Sequence, residues 1–264
     1  MLRSPHLLTI NQSMSKWDNC AIVITSSVYV SAPFTYLRDA GQREEQYMNA
    51  LRSLIMDGPI RKIVVCDNSG YSYPGFLYGL AQLYNKELEL LSFKGDVEAV
   101  ARYGKGYGEG EIMDFVLQFS HLIQRVEGFI KVTGRLEVAN LRSLEKRSDH
   151  LRNYFMPVSL FRPRWMVPKA ARPCVDTRVY YVTRDFFSLH LRPVYKEVRE
   201  KETYFLEHAY YKAIVQSGIT VHCFNPPPEI VGMSGSNGWI FKERSPLRKL
   251  LLKVVAFLGY VKPV

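Results

Sequence analysis

Short runs of apolar, largely β-branched residues alternate with helical patterns along this chain, and this alternation restricts the fold more than any other feature. Residues 20–25 read Cys-Ala-Ile-Val-Ile-Thr, which is typical of a strand buried on both faces of a sheet. A helical pattern covers residues 37–56, and a second apolar run covers residues 60–66. Further strands are predicted at residues 88–93 and 129–132, and further helices at residues 74–84, 96–103 and 112–123. The sequence therefore predicts an α/β fold with a mostly parallel open sheet flanked by helices.

Polar residues follow three of the predicted strands. They are Thr-Ser-Ser at residues 25–27, Asp-Asn-Ser at residues 67–69 and Thr-Gly-Arg at residues 133–135. Because the carboxyl ends of parallel strands meet at one edge of a sheet, we expect these residues to converge on one crevice. Polar residues also end strands for purely structural reasons, and the sequence leaves that alternative open.

Four glycines alternate with other residues just before the predicted helix that begins at Ile112. They are Gly104, Gly106, Gly108 and Gly110. This segment is predicted to be a loop whose backbone amides, those of Gly106 and Gly108 in particular, approach a phosphate at the start of the helix. A glycine-rich turn without a ligand is the alternative, since the pattern by itself is weak.

The second half of the chain continues the alternation less regularly. Strands are predicted at residues 154–160, 175–183 and 219–224, and a helix is predicted at residues 194–217, ending at Gly218. Residues 230–238 are rich in glycine and serine and predict a flexible loop.

Composition favours an anionic partner and a reducing compartment. The 264 residues include 35 Lys and Arg against 25 Asp and Glu, a formal net charge of +10. The four cysteines form no Cys-x-x-Cys pair, which indicates reduced cysteines rather than a disulfide framework or a zinc site. No window approaches the roughly 18 apolar residues of a transmembrane helix.

We divide the chain into a flexible leader at residues 1–19, a single catalytic domain at residues 20–242 and a basic amphipathic C-terminal helix at residues 243–264. The last segment places leucine, valine and phenylalanine on one side and lysine and arginine on the other. It predicts attachment to an anionic membrane surface, so that the protein is cytoplasmic and peripheral on the inner face of the cell membrane. An ordinary packing helix with a solvated basic face is the alternative.

Several of these motifs occur together in an order that resembles a known enzyme family. They are the strand and polar end at residues 21–27, Val-Val-Cys-Asp-Asn-Ser-Gly at 64–70, the glycines at 104–110, Phe-Ile-Lys-Val-Thr-Gly-Arg at 129–135, Tyr-Phe-Leu-Glu-His-Ala-Tyr-Tyr at 204–211 and the loop at 227–238. Together they resemble bacterial glycosyltransferases of the GT-A type, which have a Rossmann-like fold and act in lipopolysaccharide and capsule biosynthesis. The resemblance covers roughly residues 20–242.

The resemblance implies where a nucleotide-sugar donor would bind. It assigns the nucleotide to Thr25, Ser26 and Asp67, with Asn68 beside them. It also implies that the small residues of the loop at 234–238, Ser234, Gly235 and Ser236, cover the donor or acceptor as a lid. A plain connecting loop is the alternative for this segment.

The family's Asp-x-Asp metal site is missing from the end of the fourth strand, where this chain has Thr133-Gly134-Arg135. Because a guanidinium can neutralise phosphate oxygens, we expect Arg135, together with Lys131, to contact the diphosphate or the sugar without a metal. No cofactor is firmly predicted, although a divalent metal stays open. The alternative for Arg135 is an ion pair with Glu137 or Asp149.

Two acids compete for the role of catalytic base. The resemblance favours Glu207, which lies in the Leu-Glu-His-Ala-Tyr-Tyr motif. Helical spacing instead favours Glu202, which would share an apolar face with Phe205, Leu206 and Ala209. An exposed acid in a charged turn is the structural alternative for either residue.

The predicted function is transfer of a sugar from a nucleotide-sugar donor to a lipid-linked or oligosaccharide acceptor. One alternative is a nucleotidyltransferase acting on sugar phosphates, which would require acidic metal ligands at strand ends. The other is a basic nucleic-acid-binding module, which the charge and the 17 tyrosines permit. No zinc-finger, helix-turn-helix or RNA-recognition pattern is present, so nucleic acid is not an expected partner.

Overall fold

The computed structural model describes residues 17–30, 32, 35–156, 173–233 and 238–241, without the side chains of residues 145–147. The described strands are β1 (Cys20–Ser26), β2 (Lys62–Asp67), β3 (Glu87–Ser92), β4 (Gly128–Thr133), β5 (Leu136–Val138), β6 (Asn153–Met156), β7 (Asp176–Thr183), β8 (Val221–Cys223), β9 (Ile230–Met233) and β10 (Ile240–Phe241). The described α-helices are α1 (Ala40–Asp57), α2 (Phe76–Leu83), α3 (Val97–Tyr103), α4 (Lys105–Phe119), α5 (His121–Gln124), α6 (Leu141–Arg147), α7 (Arg184–Phe186) and α8 (Leu206–Ser217).

Seven strands form one sheet in the order β3-β2-β1-β4-β7-β6-β8. The first four of these run parallel, and β7 then pairs antiparallel with β4. A small second sheet, β10-β9-β5, lies beyond the end of β4. The prediction of a mostly parallel α/β sheet flanked by helices is therefore confirmed, with one antiparallel strand, β7, between β4 and β6.

Strand alternation divides the apolar residues of the sheet between two cores. On β1, Ile22 and Ile24 join one core with α1 and α2, while Ala21 and Val23 join the other with α4 and α8. Because successive side chains point to opposite faces, a strand covered on both sides must be apolar throughout. This explains the continuous apolar run at residues 20–25.

The glycine-rich segment was predicted to be a loop, and this prediction is wrong. Gly104 ends α3 with a φ of 108°, and α4 begins immediately at Lys105. A Cβ on Gly110 would lie 2.0 Å from Cβ of Tyr195, and a Cβ on Gly106 would lie 3.0 Å from Cβ of Leu206. The glycines therefore serve close packing of a helix against its neighbours.

The helix predicted at residues 194–217 is also only partly correct. After α7 the chain forms a π turn (Phe187–Leu191) and short 3₁₀ segments (Arg192–Glu197 and Glu200–Glu202), and α8 begins only at Leu206. Gly218 ends α8 as predicted, with a φ of 67°. The prediction that Glu202 shares a helical face with Leu206 is therefore wrong.

Residues 230–233 were predicted to belong to a flexible loop but form β9, which pairs with both β5 and β10. The rest of that loop, including Ser234, Gly235 and Ser236, lies outside the described residues. So do the C-terminal helix predicted at residues 243–264, residues 157–160 of a predicted strand, and residues 1–16 of the leader. Within the described part of the chain, no helix is both long and apolar enough to cross a membrane.

Candidate functional site

A cleft of about 450 Å³ opens at the carboxyl ends of β1 and β4. The start of β7 and the first turns of α4 and α8 complete its walls. Seven of the residues predicted from the sequence line it: Thr25, Ser26, Asn68, Gly108, Thr133, Arg135 and Glu207. The predicted residues Asp67, Gly106, Lys131, Gly134 and Glu202 do not. The structure thus brings most of the predicted donor site together with one of the two predicted acids.

Asp67 is fully buried and organises the rim of the cleft. Its carboxylate accepts hydrogen bonds from the hydroxyl of Ser26 (2.6 Å), the amide of Val28 (3.0 Å) and both the amide and hydroxyl of Ser69 (2.7 and 2.5 Å). A buried carboxylate is tolerated only when its oxygens are satisfied in this way. Asp67 therefore holds the loops after β1 and β2 together, and its predicted contact with a nucleotide remains a prediction.

Two buried guanidinium groups lie side by side at one end of the cleft. Arg43 on α1 is 5% exposed and donates to the carbonyl of Ser27 (2.9 and 2.6 Å) and to the hydroxyl of Tyr47 (3.1 Å). Arg135 is 7% exposed and lies over the same tyrosine ring, with its carbon Cζ 5.9 Å from the ring centroid. Burial lowers the pKa of Arg43, and the neighbouring charge of Arg135 lowers it further. We call this pair, with Tyr47, the arginine cluster.

Arg135 makes few contacts for a buried charge. Its Nη1 lies 3.4 Å from the amide oxygen of Gln46, and its Nε is buried without a partner among the described residues. The ion pairs considered from the sequence do not form: Glu137 instead accepts a hydrogen bond from Ser53, and Asp149 pairs with Arg152. Buried cations without a carboxylate partner are costly, so an anion in the cleft would stabilise them.

Gly134 explains how Arg135 reaches this position. Its amide donates to the carbonyl of Thr25 at 3.0 Å, and a Cβ at Gly134 would lie 2.5 Å from that same oxygen. Any larger residue would separate the ends of β1 and β4. The role of Gly134 is therefore to let the chain turn tightly, which places the next side chain in the cleft.

Lys131 was predicted to contact a phosphate or sugar, but the structure places its side chain beneath the cleft. The ammonium is fully buried and donates to Glu109 Oε1 (2.5 Å), Thr133 Oγ1 (3.0 Å) and the carbonyl of Thr177 (2.8 Å). An ammonium has three donors, and here all three are used. Lys131 thus joins α4, β4 and β7 below the floor of the site.

Glu207 lies at the other end of the cleft, in the first turn of α8. Its Oε1 accepts a hydrogen bond from the hydroxyl of Thr177 at 3.0 Å. Removal from water raises the pKa of Glu207, and the nearby carboxylates of Glu109 and Asp176 raise it further. A half-buried carboxylate with a raised pKa in a cleft has the properties of a general base.

Glu202 has a different environment from Glu207. It lies in the 3₁₀ segment before α8, its side chain is exposed, and it does not line the cleft. Its neighbour Glu200 instead accepts a hydrogen bond from the amide of Gly106 at 2.8 Å. A carboxylate of the protein itself therefore occupies the start of α4, where the sequence predicted a phosphate.

Sequence reasoning missed several residues that line the site: Arg43, Tyr47, Glu109, Asp176, Thr177 and Arg178. Asp176 and Arg178 form an ion pair at the first residues of β7, and the guanidinium also lies over the ring of Phe241 at 4.9 Å. Because β7 runs antiparallel, its first residues reach the same edge as the last residues of β4. The local sequence of β7 does not indicate that it runs antiparallel. Of the missed residues, only Glu109 could have been found from the sequence, because it lies in the glycine-rich segment.

The residues at the end of β4 do not fit a divalent metal. Thr133, Gly134 and Arg135 offer no carboxylate, and a guanidinium repels a cation. Among the described residues, no group of three or more His, Cys, Asp or Glu side chains is placed to hold a metal ion. None of the four cysteines forms a disulfide, and one of them, Cys174, lines the cleft beside Glu207.

No protein-family model matches this sequence, and no curated protein matches it significantly. Among solved structures, the fold is similar to core-mannan synthase A from Aspergillus fumigatus in its Mn/GDP form, with 9% identity, a TM-score of 0.48, and 92% of this chain and 85% of that chain covered. It is also similar to a nucleotide-diphospho-sugar transferase, described as putative, from Desulfovibrio desulfuricans G20, with 10% identity, a TM-score of 0.43 and 80% of each chain covered. At these values neither similarity assigns an activity, and the function must be argued from the cleft.

Proposed function

We propose that this protein is a glycosyltransferase that takes a sugar from a nucleotide-sugar donor. The observation that carries the proposal is the division of charge in one cleft. Two buried guanidinium groups, which form no ion pair with a carboxylate of the described residues, lie at one end, and Glu207, with its raised pKa, lies at the other. A nucleoside diphosphate bonded to a sugar has the complementary division: two anionic phosphates next to a ring that carries hydroxyl groups.

The arginine cluster is suited to bind the diphosphate. The unbonded Nε of Arg135 and its loosely held Nη1 can donate to phosphate oxygens, and planar guanidinium groups bind phosphate in a bidentate way. The hydrogen bonds of Arg43 to Ser27 hold its charge in place beside Arg135. The charge of the departing diphosphate would then be stabilised by groups that are already oriented.

Glu207 is suited to accept the proton of the acceptor hydroxyl. As the acceptor oxygen bonds to the anomeric carbon, its proton passes to the carboxylate of Glu207. The bond between that carbon and the phosphate oxygen breaks, and its electron pair leaves with the nucleoside diphosphate. Thr177 orients the carboxylate through its hydroxyl, and the raised pKa brings Glu207 closer to the working pH of a base.

We further propose that the acceptor is lipid-linked or an oligosaccharide, in the assembly of lipopolysaccharide or capsule. This finer statement is supported by the motif order along the chain and by the basic amphipathic pattern at residues 243–264. It also includes peripheral attachment to an anionic membrane. Sedimentation of the full chain with phosphatidylglycerol vesicles, but not with phosphatidylcholine vesicles, would support the attachment. Equal recovery with both would count against it.

Thermal denaturation with UDP, GDP, CMP and dTDP, each with Mn²⁺ or with EDTA, tests the donor proposal. A ligand at a hundredfold its Kd stabilises the folded state by about 2.7 kcal/mol. We expect one nucleotide class to raise the melting temperature, and we expect the rise to persist in EDTA. If no nucleotide raises it while single-stranded or duplex nucleic acid does, the transferase proposal fails and the basic-module alternative replaces it.

A further inference from the structure

Glu109 is a carboxylate in the cleft to which neither the sequence motifs nor the proposed chemistry gives a role. It lies on α4, one helical turn after Lys105. Its side chain is 24% exposed and lines the cleft, while its partner Lys131 is fully buried. The ion pair therefore has one member that a ligand could reach and one that it could not.

The two oxygens of Glu109 differ in their surroundings. Oε1 accepts the hydrogen bond from Lys131, whose other two donors go to Thr133 and Thr177. Oε2 accepts no hydrogen bond from any described residue. Lys131 thus fixes the carboxylate in one orientation and leaves the lone pairs of the second oxygen available.

The groups near Glu109 also offer hydrogen-bond acceptors to a ligand. Glu207 uses Oε1 for the hydroxyl of Thr177, and its Oε2 accepts no side-chain hydrogen bond from the described residues. The strongest donor nearby, Arg178, directs both Nε and Nη2 at Asp176. The carboxylates of Glu109, Asp176 and Glu207 line the cleft beside two cations, Lys105 and Arg178, so acceptors outnumber cations there and a ligand must mainly donate hydrogen bonds.

We infer that Glu109 accepts hydrogen bonds from hydroxyl groups of the donor sugar, and that this sugar is neutral rather than acidic. The inference rests on the proposed function, since the arginine cluster would hold the diphosphate and place the sugar toward Glu109. Hydroxyl groups supply the donors that Glu109 and Glu207 lack. A uronate would instead bring a third carboxylate against two others, with no free donor on Lys131 to receive it.

The test uses matched donors that differ only at C6 of the sugar. Dissociation constants are measured by calorimetry for UDP-glucose and UDP-glucuronate, for GDP-mannose and GDP-mannuronate, and for UDP and GDP alone. The proteins are the wild type, Glu109→Gln and the control Glu98→Gln, which changes an exposed acid on α3 that does not line the cleft. Thermal denaturation of each ligand-free protein reports folding.

In the wild type we expect the neutral donor to bind about tenfold or more tightly than its uronate, because hydrogen bonds to charged groups are among the strongest. In Glu109→Gln, the amide oxygen can keep the bond to Lys131 while the amide nitrogen faces the cleft as a donor. The preference for the neutral sugar should then fall by about tenfold, while the Kd for the bare nucleotide stays within about twofold. Glu98→Gln should match the wild type.

Several results would overturn the inference while leaving the proposed function intact. One is that a nucleotide binds but the uronate is preferred, as it would be if Lys105 held it. Another is that Glu109→Gln lowers the melting temperature without changing the preference, which would make Glu109 only a structural partner of Lys131. If the thermal screen with four nucleotides identifies another class, the neutral sugar and the uronate of that class replace these donors. If no nucleotide raises the melting temperature in that screen and none of the donors binds here, the proposed function fails and the inference fails with it.

Discussion

Replacing Arg135 with methionine should remove most of the stabilisation of this protein by a nucleoside diphosphate without unfolding it. Methionine matches the arginine side chain only as far as Nε, so it removes the guanidinium that lies over the ring of Tyr47 while its thioether fills part of the same apolar space. The ligand-free variant should be at least as stable as the wild type. It loses one loose contact to Gln46, and it also loses a buried positive charge next to Arg43.

The size of the effect follows from the number of contacts at Arg135. A hydrogen bond to a charged group contributes about 1.5–3 kcal/mol, so losing this guanidinium should weaken binding by about 2.7 kcal/mol, or roughly a hundredfold. A ligand at a hundredfold the wild-type Kd would then be near the Kd of the variant. The stabilisation would fall from about 2.7 to about 0.4 kcal/mol.

These free energies correspond to an easily measured difference in melting temperature. Unfolding of 264 residues has an entropy of about 0.55 kcal/mol/K at roughly 2.1 cal/mol/K per residue. The wild type should therefore melt about 5 °C higher with ligand, and the variant less than about 1 °C higher. Arg52→Met, which removes an exposed arginine from α1, is the matched control and should respond like the wild type.

The reasoning is refuted if Arg135→Met keeps the full ligand-induced shift. It is also refuted if the ligand-free variant melts several degrees below the wild type, because the guanidinium would then be compensated by contacts that stabilise the fold. A wild-type shift that disappears in EDTA would show that a metal binds the diphosphate, whatever Arg135 contributes.

Three further predictions concern the base and the glycine-rich helix. Glu207→Gln should lower kcat for transfer by about 10²- to 10⁴-fold with nucleotide affinity unchanged; a rate within tenfold of the wild type would remove Glu207 from the role of base. Because burial raises the pKa of Glu207, its contribution to stability is present at low pH and is lost as pH rises through that raised pKa. The melting temperature of Glu207→Gln relative to the wild type should therefore increase from pH 4 to pH 8. A difference that stays constant over this range would contradict the prediction. Gly110→Ala should lower the free energy of unfolding, measured by chemical denaturation, by about 1–3 kcal/mol, because the new Cβ would overlap Tyr195. Helix propensity alone would instead make the variant more stable. A gain in stability would therefore show that α4 can move away from Tyr195.

Much of the sheet could be predicted from the sequence because its strands are buried on both faces. The run at residues 20–25 is apolar at every position since each side chain enters one of two cores, and such a run leaves few other assignments. The same logic predicted that polar residues after β1 and β4 would meet at one edge. Thr25, Thr133 and Arg135 do line one cleft.

The glycine-rich segment shows where local patterns were misleading. Glycine is unfavourable inside a helix, so residues 104–110 were predicted to be a loop. Packing outweighs that preference here, because α4 lies so close to Tyr195 and Leu206 that side chains at Gly110 and Gly106 would collide with them. The segment that packs against α4 also places Glu200 at the amide of Gly106, where the sequence predicted a phosphate.

The sequence by itself determined which segments are strands buried on both faces, and therefore the class of fold and the edge at which a ligand could bind. Only the tertiary structure decided which charges face the cleft. Lys131 and Arg135 are near neighbours on one strand and its turn. All three donors of Lys131 have partners, whereas Nε of Arg135 has none among the described residues. That difference depends on partners from α1, α4 and β7, which are distant in sequence. Hydrogen-bond satisfaction is a property of the folded neighbourhood and is not encoded in residue type or local spacing.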